Sequence, residues 1–228
     1  MRRHHGILLD DRIMLYLRMA GLAYLARLND HWFRLDEPLV SPFVERWYPE
    51  TYTFHLPFSE CMIALQDVAY HLGLPIDRQY VSRCLTDFEW YIDGGCLAWE
   101  TFSDLPEGID KETLMRYTRA YIMMLLSTQF FGVKFGARMH IRWLLYVARL
   151  EKMGRYSWGS ATLSWLYRCL RRVANKHMVK LVGPLQLLQS WISWRFQGFR
   201  PDGSDASHWP LAMRYAIDYH LFFLLPFF

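Results

Sequence analysis

The sequence has only four cysteines, and none of them forms a close pair. Cys61, Cys84, Cys96 and Cys169 lack the short spacing of a zinc or redox site and the density of a disulfide framework. We therefore expect reduced, buried thiols in an intracellular protein.

Long apolar runs are also missing. A membrane-spanning helix needs about 20 mainly apolar residues, whereas the best run here, Tyr121 to Leu126, is followed by three polar residues. Near the N-terminus, Asp10, Asp11 and Arg12 interrupt the apolar stretch that a secretory signal requires. We expect no membrane span, no membrane partner and no secretory leader.

The patterns of common catalytic and cofactor sites are absent as well. No Gly-rich phosphate-binding fingerprint occurs, and Ser160 lacks the second Gly of a nucleophile motif, so it is predicted to be a helix cap. His71 follows Asp67 by four residues on a short predicted helix, and we expect it in a surface pair or at the edge of the core rather than on a metal. The sequence predicts a protein that is not an enzyme, with no catalytic residue, no metal ligand and no cofactor.

Carboxylates near residue 90 are the remaining candidates for acid–base chemistry. They surround a predicted helix that also carries aromatic residues, and such a set is usually the solvated face of the helix. We interpret three residues in this way: Asp87, Glu89 and Asp93.

Apolar and aromatic residues are abundant. Among the 228 residues, 53% are hydrophobic and 17% are aromatic, which is enough to fill a large core. Large aromatic side chains that do not fit a core are common at partner surfaces. This composition argues against a disordered chain and favours a protein that binds a partner.

Charge is unevenly distributed, although the net charge is only +4. Residues 1–133 contain 12 basic and 18 acidic residues, whereas residues 134–180 contain 11 basic residues and one acidic residue. This basic block can bind an anionic partner, or it can dock on the acidic half of the same chain. The sequence leaves both interpretations open.

Apolar positions spaced three and four residues apart predict a mainly α-helical single domain. Asp110 is predicted to cap the longest helix, whose buried stripe runs from Leu114 to Leu125. The other predicted helices cover residues 10–28, 37–48, 65–72, 84–92, about 137–152, 157 or 160–175, and 184–195.

One short segment has a different period. Thr51 to Leu56 alternates between polar and apolar residues, and residues 62–64 can pair with it across a turn at 57–60. The sequence therefore predicts a small β-hairpin near residues 51–64.

The helix that follows Ser157 or Ser160 concentrates basic residues on one face. At 3.6 residues per turn its arginines group opposite an apolar face. Such a stripe can contact nucleic-acid phosphates, although a basic solvent face is the commoner meaning. The candidate nucleic-acid-binding residues are Arg168, Arg171, Arg172, Lys176 and Lys180.

A longer signature lies between His55 and Ser82. Its sequence, HLPFSECMIALQDVAYHLGLPIDRQYVS, resembles the plant mobile domain family, also described as the MAINTENANCE OF MERISTEMS-like family. Residues 119–122 with 125–126, 140–144, 156–161 with 166–168, and 183–191 agree with the same family in order and type. The resemblance covers about residues 7–200, so the chain is divided into a domain of residues 1–200 and a divergent tail of residues 201–228.

This resemblance implies a plant nuclear protein of a kind found in host genes and in transposable elements. Host members are associated with meristem maintenance, genome stability and silencing of transposons. The implied partners are other nuclear proteins, a phosphatase-like family partner among them. Some relatives are fused to a serine/threonine phosphatase domain, but this chain lacks phosphatase metal motifs and any marker of a cofactor-binding lysine. Neither phosphatase nor aminotransferase activity is carried over.

The chain departs from the family pattern after Trp99, where a helical stretch usual in the family is missing and the ends are joined directly. We interpret this as an internally shortened copy. The leading hypothesis is a non-enzymatic nuclear interaction domain. The alternatives are a nucleic-acid-binding module using the basic helix and a non-functional transposon-derived fragment. An enzyme would require catalytic groups that converge from distant positions.

Overall fold

Amphipathic helices form most of the structure, as the apolar spacing predicts. The computed structural model describes residues 10–29, 33–81, 91–93, 108–127, 138–140, 144–174, 183–200 and 210–212, and the structural statements below concern this part of the chain. It is mainly α-helical with a small three-stranded antiparallel sheet, which confirms the predicted fold class.

Four helices begin and end close to the predicted positions, namely those predicted at 65–72, after Asp110, at 157 or 160–175 and at 184–195. Asp110 caps its helix as predicted, since its carboxylate accepts a hydrogen bond from the backbone N–H of Thr113 at 3.1 Å. The longest described helix is nevertheless α8 with 17 residues, not α5 with 15. The bounds are α1 Asp11–Ala20, α2 Ala23–Asn29, α3 Glu37–Glu45, α4 Leu65–Leu72, α5 Lys111–Leu125, α6 Leu144–Val147, α7 Leu150–Met153, α8 Trp158–Ala174 and α9 Leu185–Arg195, followed by a 3-10 helix, Gln197–Phe199.

The first predicted helix is divided in two at Gly21. This glycine has a φ of 74°, and its N–H donates to the carbonyls of Arg18 and Leu17, which ends α1. A Cβ at position 21 would lie 3.1 Å from Cγ of Pro75. The apolar spacing continues through the break because α2 buries its own Leu25, and spacing alone therefore predicted a single helix.

The predicted hairpin is present, with a different register and a third strand. Strands β1 (Trp47–Tyr48), β2 (Thr53–Leu56) and β3 (Ser59–Cys61) form an antiparallel sheet in that order. The turn between β2 and β3 is two residues long, so the partner strand is Ser59–Cys61 rather than residues 62–64. The helix after Asp36 ends at Glu45, which frees residues 47–48 to pair with β2.

A second strand pair contradicts two predicted helices. Strand β4 (Tyr91–Asp93) pairs antiparallel with β5 (Arg138–His140), so residues 91–92 and 138–140 are not helical. Short apolar runs suit a strand as well as a helix, which is why periodicity failed here. The predicted helix at 137–152 is replaced by β5, α6 and α7, while residues 84–90 lie outside the described residues.

The core lies where α4 contacts both α8 and α9, and where α1 contacts α5 and α7. The stripe predicted for α5 is confirmed in its second half, because Tyr121, Met124 and Leu125 are buried while Leu114 and Tyr117 are half-buried. Further fully buried side chains come from the other main helices: Ile13, Leu17, Val68, Leu166, Leu170, Leu187 and Leu188.

Candidate interaction surfaces

One face of the three-stranded sheet belongs to the core. Trp47, Phe54 and Cys61 are paired across the three strands, and all three side chains are buried. The ring of Phe54 lies 4.9 Å from that of Trp47 and stacks on Trp191 of α9 at 5.5 Å. This packing fixes the sheet rigidly on the helices.

The other face of the sheet is partly open to solvent. Tyr48 is 50% exposed, and its ring stacks on the imidazole of His55 with centroids 3.9 Å apart. His55 Nε2 lies 3.2 Å from Thr51 Oγ1 and 3.7 Å from Glu60 Oε1. An aromatic ring is thus held in place beside polar groups that can exchange hydrogen bonds with a partner.

Exposed apolar side chains continue around this sheet. Phe58, in the turn between β2 and β3, is 98% exposed, and Met62 just after β3 is 52% exposed. Tyr52 has a φ of 56°, a strained conformation for a tyrosine, and is also exposed. Contiguous exposed apolar patches mark interaction sites, and these side chains are the candidates for one here. We define the sheet surface as Tyr48, Tyr52, Phe58 and Met62.

Helix α8 is attached to the sheet through Tyr167. Its hydroxyl donates a hydrogen bond to the carbonyl of Ile63 at 2.6 Å, and its ring lies 4.9 Å from that of Trp47. Burial raises the pKa of Tyr167 to about 12, so the phenol stays protonated and keeps donating. The sheet and α8 therefore form one packed unit.

The basic face predicted on this helix is present in its described part. Arg168 and Arg171 are exposed and Arg172 is half-buried, while Cys169 and Leu170 point into the core. Burial raises the pKa of the Cys169 thiol to about 11, despite the nearby arginines. The other two candidate residues, Lys176 and Lys180, lie outside the described residues.

A residue to which the sequence analysis gave no role organises the basic face. Trp165 lies three and seven residues before two arginines, and the guanidinium carbons of Arg168 and Arg172 are 5.7 and 5.8 Å from its ring centroid. This geometry is that of cation–π contacts. The spacing of an aromatic residue before basic residues at i+3 and i+7 is the sequence signal that predicts it.

The acidic half of the chain does not neutralise this face in the described residues. The ion pairs there join Asp10 to Arg12, His55 to Glu60 and Glu112 to Arg116. Each of them lies within residues 1–133, and no described acidic group pairs with Arg168, Arg171 or Arg172. The described part of the chain therefore gives no support to docking of the acidic half on this face.

His71 occupies a different position from the one predicted. It is 4% exposed, inside the contact between α4 and α9, with Nδ1 2.7 Å from Oγ of Ser190. Burial lowers the pKa of His71 to about 4, while the negative charge of Asp67 acts in the opposite direction. The imidazole is a neutral hydrogen-bonding group of the core, and no group of metal-ligating side chains occurs among the described residues.

Ser160 is also placed differently from the prediction. Helix α8 begins at Trp158, so Ser160 is its third residue and Ser157 precedes the helix. Ser157 Oγ accepts a long hydrogen bond from the N–H of Ser160 at 3.4 Å and lies 2.6 Å from its hydroxyl.

Of the three carboxylates near residue 90, Asp93 is in β4, and Asp87 and Glu89 lie outside the described residues. No helix in the described ranges is long and apolar enough to cross a membrane.

Comparison with known proteins identifies the class to which this fold belongs. The family model of the plant mobile domain matches residues 21–220, and the chain therefore belongs to the plant mobile domain family. This confirms the resemblance seen in the sequence. The match includes 20 residues beyond position 200, and the division into domain and tail at that position stays a prediction.

Individual relatives come from Arabidopsis thaliana. The chain is 32% identical to Protein MAIN-LIKE 1 over 232 residues, which cover 92% of this chain and 45% of that protein. It is 29% identical to Protein MAINTENANCE OF MERISTEMS over 229 residues, 92% of this chain and 47% of that protein. It is 36% identical to a serine/threonine-protein phosphatase 7 long form homolog over 189 residues, 75% of this chain and 14% of that protein. The chain spans less than half of each of these relatives, and no solved structure matches it.

Proposed function

We propose that this chain is a non-enzymatic interaction domain that works in the plant nucleus, in meristem maintenance, genome stability and transposon silencing. Membership of the plant mobile domain family supports a role of this kind. One relative is named for the maintenance of meristems, although this chain covers only part of it. The observation that carries the interaction role is the sheet surface.

The sheet surface combines a rigid base with an apolar exterior. Phe54 is fully buried and anchors β2, whereas Phe58, four residues later, is almost fully exposed. Burying an aromatic side chain of this size contributes about 1.5–3 kcal/mol. Tyr48 offers both a ring and a hydroxyl, and tyrosine is enriched at interfaces for that reason. Covering these side chains with a partner therefore contributes favourably to the free energy of binding.

We propose that the partners are other nuclear proteins, a phosphatase-like member of the same family among them. The similarity to the phosphatase 7 long form homolog supports a family relationship only, because the match covers 14% of that protein. Phosphatase activity is not part of the proposal.

Comparative capture from plant nuclear extract tests the interaction role. The wild-type chain is compared with the double variant Tyr48→Ser/Phe58→Ser and with a matched control, Leu15→Ser/Met19→Ser, which removes two exposed apolar side chains from α1. Far-UV circular dichroism checks that all three chains are equally folded. We expect specific proteins that are lost with the sheet variant and retained with the control.

Two outcomes would contradict the proposal. Recovery of the same proteins by the sheet variant and the wild type would show that the sheet surface is not used. Recovery of no specific protein by the wild type would argue against an interaction domain. A fluorescent fusion expressed in plant cells tests the compartment separately, and its exclusion from the nucleus would contradict the nuclear role.

A further inference from the structure

The outward side of α8 is strongly basic. The helix contains no acidic residue among its 17 residues. Arg168, Arg171 and Arg172 fall within little more than one turn, about 6 Å along the axis, and the opposite side is buried against the core. We define the arginine face as these three residues together with Trp165.

Helix electrostatics explain only part of this arrangement. Cations near a helix C-terminus are favourable because they interact with the helix dipole, and this effect is confined to about the last turn. Arg171 and Arg172 lie in the last turn of α8, but Arg168 lies before it. The dipole also does not account for the contacts of two arginines with Trp165.

The cation–π contacts with Trp165 pre-orient two of the arginines for binding. A guanidinium over an aromatic face keeps its N–H groups free at its edge. Two of these N–H groups can donate bidentate hydrogen bonds to two oxygens of one phosphate. Side chains that are already ordered lose less conformational entropy on binding. Arg168 and Arg172 make no ion pair with the described residues.

We propose that the arginine face binds the phosphodiester backbone of nucleic acid without reading its sequence. Nucleic acid offers one negative charge per about 1.7 Å of duplex, which suits a row of cations within one helical turn. This activity goes beyond the proposed protein interaction and does not depend on the sheet surface.

Fluorescence anisotropy with the full chain tests this proposal. The probes are a labelled mixed-sequence DNA duplex and the corresponding single strand, each titrated at 50 and 200 mM salt. Three phosphate contacts predict a slope of log K against log salt of about −2.7 for the duplex, or a roughly 40-fold loss of affinity over this range. For the single strand the predicted slope is about −2.1. The tighter of the two probes identifies the preferred form.

Charge-reversal variants test whether nucleic acid binds at the arginine face. The variant R168E/R171E/R172E is expected to lose most of the affinity and the salt dependence. The control R18E/R149E/R155E changes net charge equally at three exposed arginines on α1 and beside α7, and it is expected to retain binding. If the triple variant fails to fold, the single variant R171E replaces it. It should make the slope of log K against log salt shallower by about 1, because Arg171 is exposed and is not one of the arginines in contact with Trp165.

Three results would overturn the proposal. Equal loss of affinity in the control would show that net charge, not the arginine face, determines binding. Binding that is absent or independent of salt would exclude phosphate contacts. Competition by poly-glutamate as effective as that by nucleic acid, at equal charge, would indicate an acidic protein partner instead. Loss of nucleic-acid binding with intact protein capture would leave the proposed function standing.

Discussion

Acidification from about pH 7 to about pH 4.5 should destabilise this fold through the buried imidazole of His71. The side chain lies between α4 and α9 and shares a hydrogen bond with Ser190. Its pKa in the folded chain is about 4, against an ordinary value of 6.5, because burial disfavours the charged form.

The sign and size of the effect follow from this pKa. The unfolded chain takes up a proton as the pH falls below 6.5, whereas the folded chain keeps a neutral imidazole until about pH 4. The free energy of unfolding therefore falls through this window and becomes independent of this group below it. Since one pKa unit corresponds to 1.36 kcal/mol, the contribution lost between about pH 7 and pH 4.5 is about 2 kcal/mol.

Denaturant unfolding at the two pH values measures this loss. The variant His71→Asn keeps a polar group near the position of Nδ1 but cannot titrate, so it should lose about 2 kcal/mol less than the wild type on acidification. The difference between the two proteins removes the contributions of all other titrating groups. An equal loss in the two proteins would refute the reasoning, because it would mean that His71 is protonated as easily in the folded chain as in the unfolded one.

Further predictions concern packing and hydrogen bonding, and each is measured by denaturant unfolding. Phe54→Ala should lower the free energy of unfolding by about 3–5 kcal/mol, whereas Phe58→Ala should change it by less than about 0.5 kcal/mol because that ring is exposed. Gly159→Ala should destabilise by about 1–3 kcal/mol since the new Cβ would lie 2.6 Å from Cγ2 of the half-buried Ile76, and Gly198→Ala, with open space around it, should not destabilise through such a clash. Tyr167→Phe removes the hydrogen bond that ties α8 to the sheet and should cost about 1–2 kcal/mol. An exposed-site variant as damaging as its buried counterpart would contradict the assigned packing.

Much of the helical fold is predictable because its determinants are local. Asp110 marks a helix start by its own chemistry, and the helix predicted at 65–72 ends where expected, just before Gly73. Gly21 shows where this reasoning fails. Its left-handed φ of 74° ends α1, and a side chain at this position would meet Pro75, which is more than 50 residues away in the sequence. The local spacing of apolar residues does not predict long-range contacts of this kind.

The strands were harder to predict for the same reason. The register of β2 and β3 depends on whether the turn has two residues or four, and the residues at 57–60 suit both lengths. Trp47 lies in the segment predicted as the helix 37–48, but its pairing with Phe54 places it in a strand. Pairing partners, rather than the propensity of the segment itself, decided the structure here.

The sequence predicts the arginine face better than the sheet surface. The grouping of Arg168, Arg171 and Arg172 follows from helical geometry alone, whereas their contact with Trp165 requires side-chain positions. The near-complete exposure of Phe58 was not predictable, because a phenylalanine is usually assigned to the core even when it lies in a predicted turn. His71 was misplaced because the face of α4 that α9 covers is fixed by tertiary packing.

Both proposed surfaces depend on one claim, that the sheet and the helices share a single folded core. Denaturant unfolding followed in parallel by far-UV circular dichroism and by tryptophan fluorescence tests it most directly. We expect one cooperative transition with the same midpoint for both probes, since Trp47 and Trp191 pack in the core that the helices form. A gradual loss of helix, or separate midpoints for the two probes, would contradict a shared core and would favour a non-functional fragment.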